Sequence, residues 1–219
     1  MIQSMTGFAA ASAETPRGRL SVELRSVNAR FLDLQFRIAD VLRWPGVMSE
    51  AALDEAETRR LAAELCRQAL DELVASRTRE GVKLAAAVGE RIAAMRRRLT
   101  EVAPLVPQSL AAYQAKLAER LREALGSADD DRVRTEVAVF ASKADVDEEL
   151  TRLNAHFGEV ERTLKSGGAI GKRLDFIAQE LNREANTLAS KAASQEISDC
   201  ALELKLLIEQ MREQVQNIE

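Results

Sequence analysis

Along the last stretch of the chain, apolar residues return at alternating spacings of four and three: Ile197, Ala201, Leu204, Ile208, Met211, Val215 and Ile218. That repeat is the seam of a coiled coil, and it predicts a terminal helix that needs a partner helix. Just upstream, Leu174, Ile177, Leu181, Ala185 and Leu188 mark the apolar face of another helix. Its opposite face carries Asp175, Gln179, Asn182, Asn186 and Ser190. Asn and Ser are poor helix formers, and solvated helix faces are usually filled with Glu, Lys and Arg. A run of amides and hydroxyls therefore points to groups meant for specific hydrogen-bond partners.

The first 38 residues follow another period. Leu20, Val22 and Leu24 alternate with Ser21, Glu23 and Arg25 after a turn signal at Thr15-Pro-Arg-Gly18, which predicts a β-hairpin with one buried face. Ser26-Val-Asn-Ala-Arg30 interrupts the alternation, and Leu32, Leu34, Phe36 and Ile38 resume it. So small a sheet is not stable alone, and something else must cover it.

Helical spacing begins after Val41-Leu-Arg-Trp-Pro-Gly-Val47. Leu53, Leu61, Leu65 and Leu73 lead into Leu84, Val88, Ile92, Met95, Leu99 and Val102, and Pro104 and Pro107 break the run. Leu110, Leu117, Leu121 and Leu125 then mark a second arm that ends at Gly126 to Asp131, as in an antiparallel helical hairpin serving as a spacer, an oligomerisation arm or a binding arm. A further helix is predicted from about Arg132 to Lys165, striped by Val137, Phe140, Leu150, Leu153, Phe157 and Val160. The pattern thus predicts a mostly α chain with a small N-terminal β region (α+β). Long helical hairpins precede a C-terminal coiled-coil-like helical domain, with divisions at 1–38, 39–131 and 132–219.

Composition narrows the partners. Of 219 residues, 46% are hydrophobic and only 4% aromatic, which suits helices packed through Ala and Leu. Thirty-one Lys and Arg against thirty-five Asp and Glu leave a formal charge of -4, so no global positive field draws nucleic acid. Any RNA or DNA contact must be local or bridged by a metal ion. Cys66 and Cys200 lack metal-ligand spacing and are expected to be buried thiols. The absence of a leader pattern and of a membrane-length apolar span predicts a cytoplasmic protein with no membrane partner.

Candidate chemistry gathers on the two helices before the terminal one. Asp145, Glu149, Arg152 and His156 recur at helical spacing, and Asp145 and Glu149, one turn apart, could share a cation. His156 stands about 10 Å further along the axis from Glu149, too far for the same ion. It reads as a carboxylate partner or as a proton-transfer group. Glu180 and Glu184 form a second carboxylate pair. Were the two helices antiparallel, Asp145, Glu149, Glu180 and Glu184 would face one cleft and hold Mn²⁺ or Mg²⁺, the arrangement that metal-assisted phosphodiester hydrolysis needs. Solvated ion pairs would give the same spacing. Lys172, Arg173, Arg183 and Lys191 are candidates for phosphate, with Asn182 and Asn186 beside them as candidate hydrogen-bonding groups for a nucleic-acid partner such as RNA. Gly167, Gly168 and Gly171 ahead of Lys172 read either as a phosphate cradle at a helix start or as a plain connector.

Several long strings resemble one family. Met1-Ile-Gln-Ser-Met-Thr-Gly-Phe8, Glu23-Leu-Arg-Ser-Val-Asn-Ala-Arg-Phe31, Leu42-Arg-Trp-Pro-Gly-Val-Met48, Asp145-Val-Asp-Glu-Glu-Leu-Thr-Arg-Leu-Asn-Ala-His156, Gln179-Glu-Leu-Asn-Arg-Glu-Ala-Asn-Thr-Leu-Ala-Ser-Lys191 and Ile208-Glu-Gln-Met-Arg-Glu-Gln-Val-Gln-Asn-Ile-Glu219 look like signatures of the bacterial YicC/YloC family. The resemblance implies a cytoplasmic endoribonuclease that cleaves single-stranded RNA with divalent-metal help and assembles as a ring-like homohexamer. Between Ile38 and Ala39 the chain departs from that family, lacking a block in which relatives continue their N-terminal domain. The catalytic roles given to His156, Glu180 and Glu184 come from helical geometry rather than from the resemblance. The alternative function is a non-catalytic RNA-binding adaptor for another ribonuclease. A purely structural coiled-coil oligomer would leave the Asn182, Asn186 and Lys191 face unexplained.

Overall fold

The computed structural model describes residues 1–15, 18–29, 55–125 and 130–219. The resumed alternation at Leu32 to Ile38, the stretch from Val41 to Val47, Leu53, and most of the Gly126 to Asp131 turn lie outside the described residues. The chain forms two compact units, one of Gln3–Gly81 and one of Met1–Ile2 with Val82–Glu219. Helix α1 (Glu55–Val102) contributes residues to both.

In the first unit, β1 (Gly7–Thr15) pairs antiparallel with β2 (Gly18–Ser26), with Ala9 opposite Leu24 and Ala11 opposite Val22. The expected alternation is present. Ala9 is buried and Leu20, Val22 and Leu24 are half-buried, while Phe8 on the other face is exposed. The cover the sheet requires includes the first half of α1. The Ser4 N–H donates to the Arg77 carbonyl at 2.9 Å and Arg77 Nε donates to the Ser4 carbonyl at 2.7 Å. Gly7 permits this approach, because a Cβ there would lie 2.8 Å from Arg77 Cγ and 2.9 Å from Leu73 Cδ1.

The second unit is helical. After α1, a short 3₁₀ turn (Ala103–Leu105) leads into α2 (Val106–Leu125), followed by α3 (Asp130–Lys143), α4 (Asp147–Ser166), α5 (Gly171–Lys191) and α6 (Gln195–Val215). Its core is built from the positions the sequence pattern marks. Ile92, Met95 and Leu99 of α1, Leu153 and Phe157 of α4, Leu174, Ile177, Leu181 and Leu188 of α5, and Ile197, Leu204 and Ile208 of α6 are fully buried. Each such side chain contributes roughly 1.5–3 kcal/mol through removal from water. The apolar seam of α6 finds its partner in α5 of the same chain. Among the described residues, no helix is long and apolar enough to cross a membrane.

Three expectations need correction. The helix expected from Arg132 to Lys165 is two helices, broken at Ala144 to Val146. Asp145 lies in the break, where its Oδ1 accepts from the Asp147 N–H at 3.1 Å. It thereby satisfies one of the free amides at the start of α4, and Asp147, Glu148 and Glu149 in the first turn complement the helix dipole. The hairpin partner of α2 is α3 rather than α1, with Tyr113 stacked on Phe140. Proline in the first turn of a helix costs no hydrogen bond, so Pro104 and Pro107 redirect the chain into a new helix. Finally, Cys200 is buried but Cys66 is exposed. Leu65 and Ala69, one turn apart, take the buried face beside Cys66, and successive helical positions diverge by about 100°.

Candidate active site on the α4–α5 seam

The loop of Gly167 to Ile170 turns the chain so that α4 and α5 pack side by side. Gly167 has φ +65° and ψ -171°, a conformation open in practice to glycine alone. Gly171 is required for a different reason: a Cβ there would stand 2.1 Å from the Ile218 carbonyl oxygen. The Ile170 and Gly171 N–H groups donate to the Glu219 carbonyl oxygen at 2.8 and 3.2 Å. These are the amides that a phosphate cradle at the start of α5 would offer. The C-terminal segment already uses them, so the glycine stretch is a connector.

Folding the helices back sets residues near the start of α4 against the end of α5. Glu149 and Glu184 are both buried, with side chains 6% and 5% exposed. Each carries a cation from the opposite helix. Lys191 Nζ donates to Glu149 Oε1 at 2.9 Å, and Arg152 Nη1 donates to Glu184 Oε1 at 3.4 Å. Arg152 also donates to Glu148 one turn away. The charges of Glu148 and then Glu184 raise the Arg152 pKa beyond its usual value. Glu149 Oε2 is buried and has no hydrogen-bond partner among the described residues. A buried carboxylate oxygen without a partner costs on the order of 1–3 kcal/mol or more, and so marks a place where another group is expected.

The remaining candidates divide. Glu180 is 30% exposed, 3.9 Å from Arg183, which is itself exposed. His156 is half-buried one turn from Arg152 and makes no hydrogen bond among the described residues. Asn182 and Asn186 bond to each other at 3.3 Å along the surface of α5, and Gln179 bonds to Asp175 at 2.8 Å. Arg173 pairs with Glu159 at 3.0 Å nearer the loop end of the helices, and Lys172 beside it is exposed. The Asp145 carboxylate, engaged at the start of α4, is not stacked one turn from Glu149 as expected. Among the described residues, no three His, Cys, Asp or Glu side chains form a group placed to hold a metal ion. The expected four-carboxylate cage is thus not preassembled.

What the structure brings together is Glu149, Arg152, Glu184 and Lys191, two buried acids alternating with two cations. Sequence reading missed the pairing role of Arg152. Its signal was the spacing of three that places it on the same side of α4 as Glu149. A hollow of about 510 Å³ lies elsewhere, lined by Arg96, Arg97, Thr100 and Glu101 of α1 and Glu161 of α4.

Known proteins place the chain. A family model described as Endoribonuclease YicC-like, C-terminal, matches residues 102–219, and one described as Endoribonuclease YicC-like, N-terminal region, matches 2–40 and 36–86. The chain belongs to the YicC-like endoribonuclease family. A family relative named probable endoribonuclease YicC, from Haemophilus influenzae, is 40% identical over 198 residues, covering 90% of this chain and 68% of the relative. A relative of the same name from Clostridioides difficile is 32% identical over 187 residues, covering 83% of this chain and 64% of its own length. The chain therefore spans about two thirds of the length of these curated family members. The two matched N-terminal stretches overlap at residues 36–40, which include the junction of Ile38 and Ala39.

Proposed function

We propose that this chain, an endoribonuclease by family, cleaves single-stranded RNA by metal-assisted phosphodiester hydrolysis at the α4–α5 seam. Glu149 carries the reading. It is a buried carboxylate with one oxygen on Lys191 and the other without a partner. Mg²⁺ and Mn²⁺ favour oxygen ligands, and Mg²⁺ commonly keeps several waters while taking one or two carboxylates together with substrate phosphate. That mode needs no three-ligand protein cage, so Glu149 and Glu184 would hold a hydrated divalent ion, with Glu180 and Asp145 as the further candidate ligands. Such an ion, when bound, polarises the phosphate and lowers the pKa of its water.

The chain's own residues do the rest. Lys191 and Arg152 place positive charge beside the acids, where a phosphate diester would otherwise be repelled. Lys172, Arg173 and Arg183, exposed on α5, contact the strand through its phosphates. The surface amides of Asn182 and Asn186 offer donors and acceptors to a base edge or a 2′-hydroxyl. His156 would accept or return a proton. The chain assembles as the homohexamer that the family resemblance implies. In support, Phe176, Leu202 and Leu206 stand 63%, 57% and 60% exposed on α5 and α6, apolar area that a second copy would cover.

The test is single-turnover cleavage of labelled single-stranded RNA, and of the same sequence as a duplex, with Mn²⁺, with Mg²⁺ and with chelator. Only the single strand is expected to be cut, and only with metal. Glu149→Gln should lower the rate by about 100-fold or more while RNA binding persists. Cutting in chelator, or by Glu149→Gln at the parent rate, overturns the mechanism. Binding without cleavage under every condition establishes the adaptor function instead.

A further inference from the structure

We propose that α2 carries a separate RNA contact, a stacking platform at Tyr113 that takes an unpaired base, with Lys116 and Arg120 on the neighbouring phosphates. This rests on the reading of RNA as substrate and adds a second place on the chain where the single strand is held.

Tyr113 is unusual in a chain with so few aromatics. Its ring stacks on Phe140 of α3, with centroids 4.1 Å apart and planes inclined by 16°, yet the residue is 39% exposed. Here the stack holds the ring in a fixed orientation while leaving part of it in water. The same side chain lines a hollow of about 100 Å³ with Lys116, Leu117 and Arg120. Those positions follow Tyr113 by three, four and seven residues and so form one stripe along the helix.

Charge identifies the occupant. Lys116 and Arg120 are exposed, and neither forms an ion pair among the described residues. Among the described residues, no acid lines the hollow. Like charges one turn apart disfavour each other by a few tenths of a kcal/mol, a cost relieved when an anion lies across them. A partly exposed aromatic ring beside two exposed cations is how a protein grips single-stranded nucleic acid, the base stacking while the backbone follows the cations. A duplex keeps its bases stacked on each other and cannot offer one. Val106 of α2 is buried in the core seven residues before Tyr113, so the platform stands about 10 Å along the helix from that anchor.

The experiment measures binding of a fluorescent short oligouridylate to the full chain by anisotropy, with metal replaced by chelator to prevent cleavage. An abasic ribose-phosphate chain of equal length and an RNA duplex are run in parallel. Tyr113→Ala should weaken binding of the oligouridylate by about 10-fold or more and leave binding of the abasic chain unchanged. Tyr113→Phe keeps the ring and should bind within about two-fold of the parent. Replacing both Lys116 and Arg120 by Ala should reduce the slope of log affinity against log salt by about 1.4, from two phosphate contacts at roughly 0.7 each. Circular dichroism and melting compare the variants with Tyr113→Phe, which preserves the stack on Phe140. If the parent cleaves single strands with metal but Tyr113→Ala binds the oligouridylate as the parent does, the platform is refuted and the seam mechanism stands. An unchanged salt slope in the Lys116 and Arg120 variant also refutes it. A parent that neither binds nor cleaves RNA overturns both readings.

Discussion

Removing Lys191 should expose how the α4–α5 seam tolerates two buried acids. Glu149 is 6% exposed, its Oε2 has no partner among the described residues, and Oε1 is held by Lys191 Nζ at 2.9 Å. Lys191→Met keeps most of the apolar stem but deletes the ammonium, leaving both carboxylate oxygens without a donor. Breaking a buried pair in this one-sided way costs about 3–5 kcal/mol. Lys191 is 29% exposed, and water can reach its end of the pair, so the lower limit of about 3 kcal/mol is the expected loss. For a chain of this size that is a fall in Tm of roughly 6–12 °C. Combining Glu149→Gln with Lys191→Met removes the unpaired charge and should recover at least half of the loss. The assay is urea unfolding of the parent, both single variants and the double variant at one protein concentration, because oligomers make the midpoint concentration-dependent. The double-mutant cycle then gives the coupling directly. A coupling energy below about 0.5 kcal/mol would show that the pair is no stronger than a surface ion pair and that the seam is wet.

Two glycines of the helical unit should respond in opposite directions. Gly171→Ala places a Cβ 2.1 Å from the Ile218 carbonyl oxygen and should cost about 2–3 kcal/mol in the same unfolding assay, whereas Gly89→Ala, with nothing within 4 Å in the middle of α1, should gain about 0.5–1 kcal/mol. The cysteines should separate by reactivity with a thiol reagent at mildly alkaline pH: exposed Cys66 reacts in the folded protein, and Cys200 only on unfolding. Burial pushes the Cys200 thiol up to about 11 from 9.0, so the folded chain keeps its proton where the unfolded chain loses it. This contribution to stability is complete below about 9 and declines as pH rises toward about 11. A Cys200→Ser variant with the same alkaline stability profile as the parent would contradict that assignment.

The difference between what was legible in the sequence and what was not follows from how far each inference had to reach. Ile197 to Ile218 and Leu174 to Leu188 declare their buried faces because one stripe on one helix needs only the helical period, and every named position is buried. The break at Asp145 was harder to see, since neither Gly nor Pro marks it. Its signal was the acidic run Asp147 to Glu149, the composition of a helix's first turn, with Asp145 two residues ahead to accept the Asp147 N–H. The α2–α3 pairing is not legible from Pro104 and Pro107, because proline that ends one helix is equally at home where the next one starts. The site lay further from reach. The spacing of Glu180 and Glu184 shows that they share a side of α5, but it does not say that Glu184 turns inward to Arg152 while Glu180 stays near Arg183. That outcome depends on the rotation of α5 against α4, which is set by Leu174, Ile177, Leu181 and Leu188 entering the core. A rotation of one residue, about 100°, would put a different acid on the seam. The electrostatics of the candidate site are therefore a consequence of core packing, and a substitution that rotated α5, such as a bulky residue at buried Ala178 or Ala185, should displace the Glu184–Arg152 pair before it unfolds the chain.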